Sequence, residues 1–214
     1  MPGYRKILCY SGLMLSAMLL ASMVAHGLAA YKLGAMSSKE PWRTVGFLNQ
    51  NGDVFSFQDV GNKPTIVSFA FTGCSMYCSA QAIELKFLQE ELNASIGPDA
   101  YQIISVSLTP VYDQPADMLR FANRFQIDFS NWQFLTGSEV GTESLIASTG
   151  ISVTRYTGGT RPDLDHTTEV YLLNADGQVA DRINGIPLDK EHLKASLFNL
   201  LGVEPMASAR ATES

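Results

Sequence analysis

The sequence predicts an α/β fold, a partly parallel central sheet with helices packed on it. Three observations predict it. Two short runs, TIVSFAF at 65–71 and YQIISVSL at 101–108, are apolar without alternation, as strands buried on both faces are. Segments with helical spacing of apolar residues alternate with runs of this kind along the chain, the pattern of a sheet built through helical crossovers. Two later runs, 168–174 and 178–183, flank Asp176-Gly177, a tight-turn dipeptide that makes them an antiparallel hairpin.

The elements follow in order. Arg5 and Lys6 precede residues 7–30, a stretch with no Asp, Glu, Lys or Arg. It has the length of a bilayer span, about 20 apolar residues, and also the layout of a secretory signal. Residues 1–30 are therefore read as an uncleaved membrane anchor or a cleaved signal. Both readings leave the basic end inside and carry the rest of the chain across a membrane. The expected location is the periplasmic face of the inner membrane, or the periplasm if the segment is removed. Polar residues 31–44 read as a tether. A folded domain is expected over 45–203.

That domain opens with a hairpin around Asn51-Gly52. After the strand at 65–71 a helix is expected over 79–95, with Ile83, Leu85, Phe87, Leu88 and Leu92 inward and Glu84, Gln89, Glu90 and Glu91 outward. Gly97-Pro98 ends it. Further helices are expected at 116–125, 138–149 and 188–201, and a short strand at 132–135. Residues 157–165, rich in Gly, Pro and Asp, read as a loop, and 204–214 as a disordered tail. Net charge is −6, from 15 Lys and Arg against 21 Asp and Glu, with no basic run, which excludes a nucleic-acid groove.

The chemistry centres on Cys74 and Cys78 in FTGCSMYCSA. They follow the first buried strand and enter the next helix, at the strand end where open α/β sheets form their sites. Spacing by four places two side chains on one face of a helical turn. A thiol at a helix N-terminus faces unpaired N–H groups and ionises more readily, and the thiolate is both nucleophile and metal ligand. In an oxidising compartment such a pair is a structural disulfide, a redox couple or a metal site. Cys9 lies in the apolar stretch and reads as a small buried residue.

Two histidines remain in the folded part. His192, in EHLKASLF, reads as a surface helix residue, whereas His166, in LDHTTEV, stands just before a strand. His166 is either a satisfied structural residue or a third ligand. Two thiolates and an imidazole suffice for Cu(I), a soft ion of low coordination number; a structural zinc site takes four ligands. Met76, Asp163 and Asp165 are auxiliary candidates, the first as a soft donor, the others as oxygen ligands or partners of the imidazole.

These residues sit in a recognisable pattern. NGDVFSFQDVGNKPTIVSFAFTGC, the C-x3-C pair, ISVSLTPVYDQPADML, WQFLTG and DHTTEVYLLNADGQV together resemble the SCO/SenC family of copper-binding, thioredoxin-like proteins that assist assembly of the copper site of cytochrome oxidase. The resemblance runs from about Gly46 to Leu201. It implies a thioredoxin-like fold with an extra N-terminal hairpin, copper as Cu(I) or Cu(II), and Cys74, Cys78 and His166 as its ligands. The implied partner is a copper-accepting oxidase subunit or another copper enzyme. The alternative is thiol–disulfide exchange, Cys74 attacking and Cys78 resolving, with a partner that carries cysteines. The chain departs from the family at Ser75 and Ser79, where a proline commonly follows each cysteine, and at Thr109, where an Asp is usual. Pro110, Asp113 and Pro115 are retained.

Overall fold

The apolar runs are strands, and their order sets the cysteine turn at the C-terminal edge of a sheet. The structure is a computed structural model that describes residues 41–58, 63–74, 76–156 and 163–204. Residues 1–30, most of the tether, Ser75 and the tail from 205 lie outside the described residues. Among the described residues no helix is long and apolar enough to cross a membrane.

The elements are β1 (Phe47–Leu48), β2 (Val54–Phe55), β3 (Thr65–Ala70), α1 (Tyr77–Ile96), β4 (Gln102–Ser107), α2 (Pro115–Arg124), β5 (Trp132–Leu135), α3 (Glu139–Thr149), β6 (Val153–Tyr156), β7 (Asp163–His166), β8 (Val170–Leu173), β9 (Val179–Ile183) and α4 (Lys190–Leu201). The main sheet has the order β5-β4-β3-β8-β9. β3, β4 and β5 are parallel, while β8 runs antiparallel to both β3 and β9. This is the expected mixed sheet with flanking helices. Every residue of β3 and β8 is buried, which is why both read as unbroken apolar runs. The N-terminal hairpin is present, Phe47 opposite Phe55, and Leu48 bridges to Thr136 beyond β5.

Helix ends follow local chemistry. The Ser138 hydroxyl caps α3 by accepting the Gly141 N–H at 3.1 Å, and Asp189 caps α4 by accepting the His192 N–H at 3.1 Å. Gly150 and Gly202 end α3 and α4 at φ 73° and 64°, a left-handed conformation that costs glycine little. Pro115 occupies the first turn of α2, where its missing N–H is no loss.

Four expectations are corrected. Residues 157–165 are not simply a loop: β6 and β7 form an antiparallel hairpin, Val153 opposite His166, and residues 157–162 between them lie outside the described residues. The inward stripe of α1 is Cys78, Gln81, Ala82, Leu85, Leu88, Gln89 and Leu92. Gln89 therefore faces in, donating to the Asp128 carbonyl at 2.8 Å and Asn131 Oδ1 at 2.7 Å. Ile83 and Phe87 face out; Lys86 and Lys190 lie over the Phe87 ring. The helix thus turns a slightly different face to the sheet than its largest side chains suggest. Finally, residues 41–43, expected within the tether, form a 3-10 turn with Trp42 buried. The Trp42 indole N–H donates to Ser148 Oγ at 2.9 Å.

Candidate metal and thiol site

Cys74 follows β3 by four residues, and Cys78 lies in the first turn of α1. Cys74 itself is outside the helix, so the pair does not share a helical turn as its spacing implied. Its place is nevertheless functional for the helix. The N-cap residue, Met76, makes no side-chain cap; instead Cys74 Sγ accepts the Cys78 N–H at 3.3 Å. A sulfur does at α1 what hydroxyl and carboxylate oxygens do at α3 and α4. Both cysteines are free, Cys74 half-buried and Cys78 buried.

β8 runs antiparallel to β3, so its N-terminal end, just after His166, lies at the C-terminal edge of β3. His166 closes β7, and its Nε2 stands 3.9 Å from Cys78 Sγ. On the other side of the ring, Nδ1 is 2.8 Å from the Thr167 carbonyl. A carbonyl only accepts, so Nδ1 carries a proton, and Nε2 is the ring nitrogen turned toward the sulfur. The Phe71 ring meets the imidazole edge-on at 6.2 Å.

The two thiols differ sharply. The Cys74 thiol is pulled down from the ordinary value near 9 to about 5. The main cause is the hydrogen bond from the Cys78 thiol. Partial burial opposes it; the backbone N–H groups of Cys78 and Met76 and the nearby His166 imidazole assist. The Cys78 thiol is pushed far up, because its proton bonds the Cys74 sulfur and because it is buried. At neutral pH the pair holds one proton, on Cys78.

The auxiliary candidates are placed elsewhere. Asp163 and Asp165 alternate with Leu164 and His166 along β7 and are exposed; Asp165 accepts the Tyr156 hydroxyl at 2.7 Å. Met76 is 62% exposed. His192 is a surface helix residue, as expected, 2.9 Å from Asp181.

Asp113, read from the sequence only as a retained family residue, has a definite task. It is buried. Its carboxyl group accepts from Ser107 Oγ at 2.6 Å, Thr109 Oγ1 at 2.8 Å, the Thr72 N–H at 3.3 Å and the Thr72 hydroxyl. Thr109, the departure from the family pattern, thus supplies a donor to this carboxyl. Asp113 ties the turn that carries Cys74 to the exit of β4. Asp113→Ala strands several buried donors, each costing about 1–3 kcal/mol before hydroxyls reorient. The expected net loss is about 3 kcal/mol, seen in calorimetry as a melting point lower by roughly 10 °C. An unchanged melting point would show that the turn holds without it.

Among the described residues no three His, Cys, Asp or Glu side chains already close a metal cage. The donor chemistry nonetheless suits a soft ion. Two donors on one metal, at bond lengths near 2.3 Å for sulfur and 2.0 Å for nitrogen, stand roughly 3.5 Å apart in a tetrahedral and roughly 3.7 Å apart in a trigonal arrangement; Cys78 and His166, at 3.9 Å, need only a small approach to share one.

Comparison with known proteins shows the family. The sequence model of the SCO1/SenC family matches residues 39–202. The SCO1 protein homolog of Bacillus subtilis (strain 168) is 30% identical over 141 residues, 65% of this chain and 72% of that protein. BsSco, described with a disulfide switch and as a member of the Sco family of cytochrome c oxidase assembly proteins, superposes with TM-score 0.64 at 25% identity, covering 75% of this chain and 92% of that one. The copper-bound ScoI of Bradyrhizobium japonicum shares the fold at TM-score 0.60 and 22% identity, over 74% of this chain and 96% of that one. With a match that spans the sheet, the cysteine turn and the His166 segment, this chain belongs to the SCO1/SenC family.

Proposed function

We propose that this chain carries copper as cargo on Cys74, Cys78 and His166 and hands it to a copper enzyme, in the first place the copper site of a cytochrome oxidase. The observation that carries the reading is the Cys78–His166 pair: sulfur and a ring nitrogen close to shared-metal separation, with the other ring nitrogen donating to the Thr167 carbonyl. Cys74 supplies the third donor as a thiolate that already exists at neutral pH. It is the more exposed of the two cysteines, so an acceptor's thiolate would approach the metal from that side and displace Cys74 from it, releasing the cargo by ligand exchange. Copper in the ScoI structure of a relative supports the cargo. The apolar stretch 7–30 then anchors the domain on, or exports it to, the periplasmic side of a membrane. Titration of the reduced protein with Cu(I) against a competing chelator tests the reading: one tightly held equivalent is expected, and failure to compete would refute it.

The split between the thiols favours a second reading, thiol–disulfide exchange. The Cys74 thiolate attacks a partner disulfide, forming a Cys74–partner bond and expelling one partner thiolate. Cys78, losing its proton to solvent, then attacks Cys74 and expels the other. The partner gains two electrons and the Cys74–Cys78 pair is oxidised to a disulfide. This activity, unlike metal capture, survives His166→Ala.

A further inference from the structure

A buried amide one helical turn beyond Cys78 donates to neither sulfur nor imidazole. Gln81 faces inward from α1, on the same stripe as Cys78, and is 5% exposed. Its Nε2 donates to the Thr168 carbonyl at 2.5 Å. Thr168 is two residues from His166, and the intervening Thr167 carbonyl holds Nδ1 of the imidazole. The approach is close on every side. A Cβ at Gly185 would fall 1.7 Å from the Thr168 carbonyl oxygen and 2.3 Å from Gln81 Nε2, so only glycine fits there. Three segments, the cysteine helix, the link from β7 to β8 and the turn after β9, thus meet at one amide.

We infer that Gln81 is a positioning residue, which by holding the 167–168 backbone against the cysteine helix fixes both the tautomer of His166 and its distance from Cys78. The inference rests on the ligand set proposed above and adds what keeps that set in register. Cys78 and Gln81 share one rigid helical turn, so the hydrogen bond ties the position of Cys78 to the Thr168–Glu169 peptide, one peptide beyond the Thr167 carbonyl that meets Nδ1. Without it, the backbone just beyond the Thr167 carbonyl loses its tie to the cysteine helix, and the hold of that carbonyl on Nδ1, which keeps Nε2 toward sulfur, is loosened. Partners of this kind, one step removed from a metal, contribute about ten- to a hundredfold in affinity.

The test is a double-mutant cycle on Cu(I) affinity with Gln81→Met and His166→Ala, beside 15N NMR of the His166 ring in the metal-free protein. Met keeps the length of Gln without its donor. Gln81→Glu, which keeps the shape but lacks the amide hydrogens, serves as a second variant if the first is poorly folded. The parent is expected to show the Nδ1–H form alone. Either Gln81 variant should mix the tautomers and weaken Cu(I) binding about tenfold or more. In the His166→Ala background the same substitution should change affinity less than about threefold, because coupled residues are non-additive. Equal losses in both backgrounds, or an unchanged tautomer, would overturn the positioning role and leave Gln81 as packing. If His166→Ala alone leaves affinity unchanged, the ligand set is wrong, and the tautomer measurement still decides what Gln81 does.

Discussion

Replacing either cysteine by serine is expected to weaken Cu(I) binding by the reduced protein at least about a hundredfold, beyond what loss of a supporting residue costs. Cu(I) prefers soft donors, and serine puts a hard, neutral hydroxyl where a polarizable thiolate stood. The two substitutions are not equivalent. Cys74→Ser removes the thiolate that exists before metal arrives, while its hydroxyl oxygen still offers an acceptor to the Cys78 N–H at the start of α1. Cys78→Ser removes the sulfur that faces His166 at 3.9 Å and places a hydroxyl in a buried position. His166→Ala leaves both thiolates and should cost less, about ten- to a hundredfold. A hundredfold change is about 2.7 kcal/mol of binding, well within reach of competition with a chelator. Oxidation of the pair to a disulfide removes both sulfurs together, so the oxidised protein should take up no Cu(I). All three variants binding as the parent does would place the metal elsewhere.

The fold was legible where burial is two-sided. β3, β4 and β8 carry unbroken apolar runs because both faces of each are covered, and a run too short for a helix, bounded by turn residues, fits a buried strand best. The β6–β7 hairpin was not legible for the opposite reason. Val153–Tyr156 is largely exposed and Asp163–His166 buries only Leu164, so neither strand has a face to mark and Asp-rich sequence reads as loop. Trp42 was hidden by its polar neighbours. The cysteine pair was legible from strand, turn and helix, whereas for His166 donor chemistry left a structural histidine and a third ligand both open, and only the family resemblance implied the ligand, since a lone histidine has no periodicity. What tunes the site stayed invisible. The Thr167 carbonyl that orients the imidazole and the Thr168 carbonyl held by Gln81 are backbone atoms, present at every residue. Gln81 itself sits in a helix among other glutamines and glutamates, and only its depth distinguishes it.

Cys74 should react as a thiolate down to about pH 5, and this is best seen in a pH profile rather than in one rate. With the thiol pulled down to about 5, Cys74 is ionised throughout the neutral range, so its rate with a small aromatic disulfide should be level above pH 6 and fall tenfold per unit below 5. An ordinary cysteine, ionising near 8.5, loses rate tenfold per unit all the way down from 8. The absolute rates cross, because a less basic thiolate is a weaker nucleophile. With a Brønsted slope of about 0.45, the lowered value costs roughly fortyfold in intrinsic rate. Near pH 7 that cost about cancels the roughly thirtyfold gain in thiolate. At pH 6 the gain is roughly three-hundredfold, and Cys74 should outrun a free cysteine by nearly tenfold. Cys78, buried and protonated, should not compete for the first reagent. Since the Cys78 hydrogen bond is the largest cause of the lowering, Cys78→Ala should move the Cys74 midpoint upward by more than one unit while leaving it exposed to reagent. A parent midpoint near 8.5 would show that Cys74 is an ordinary thiol, and the protein would then have to lose two protons, not one, to present both sulfurs to a metal.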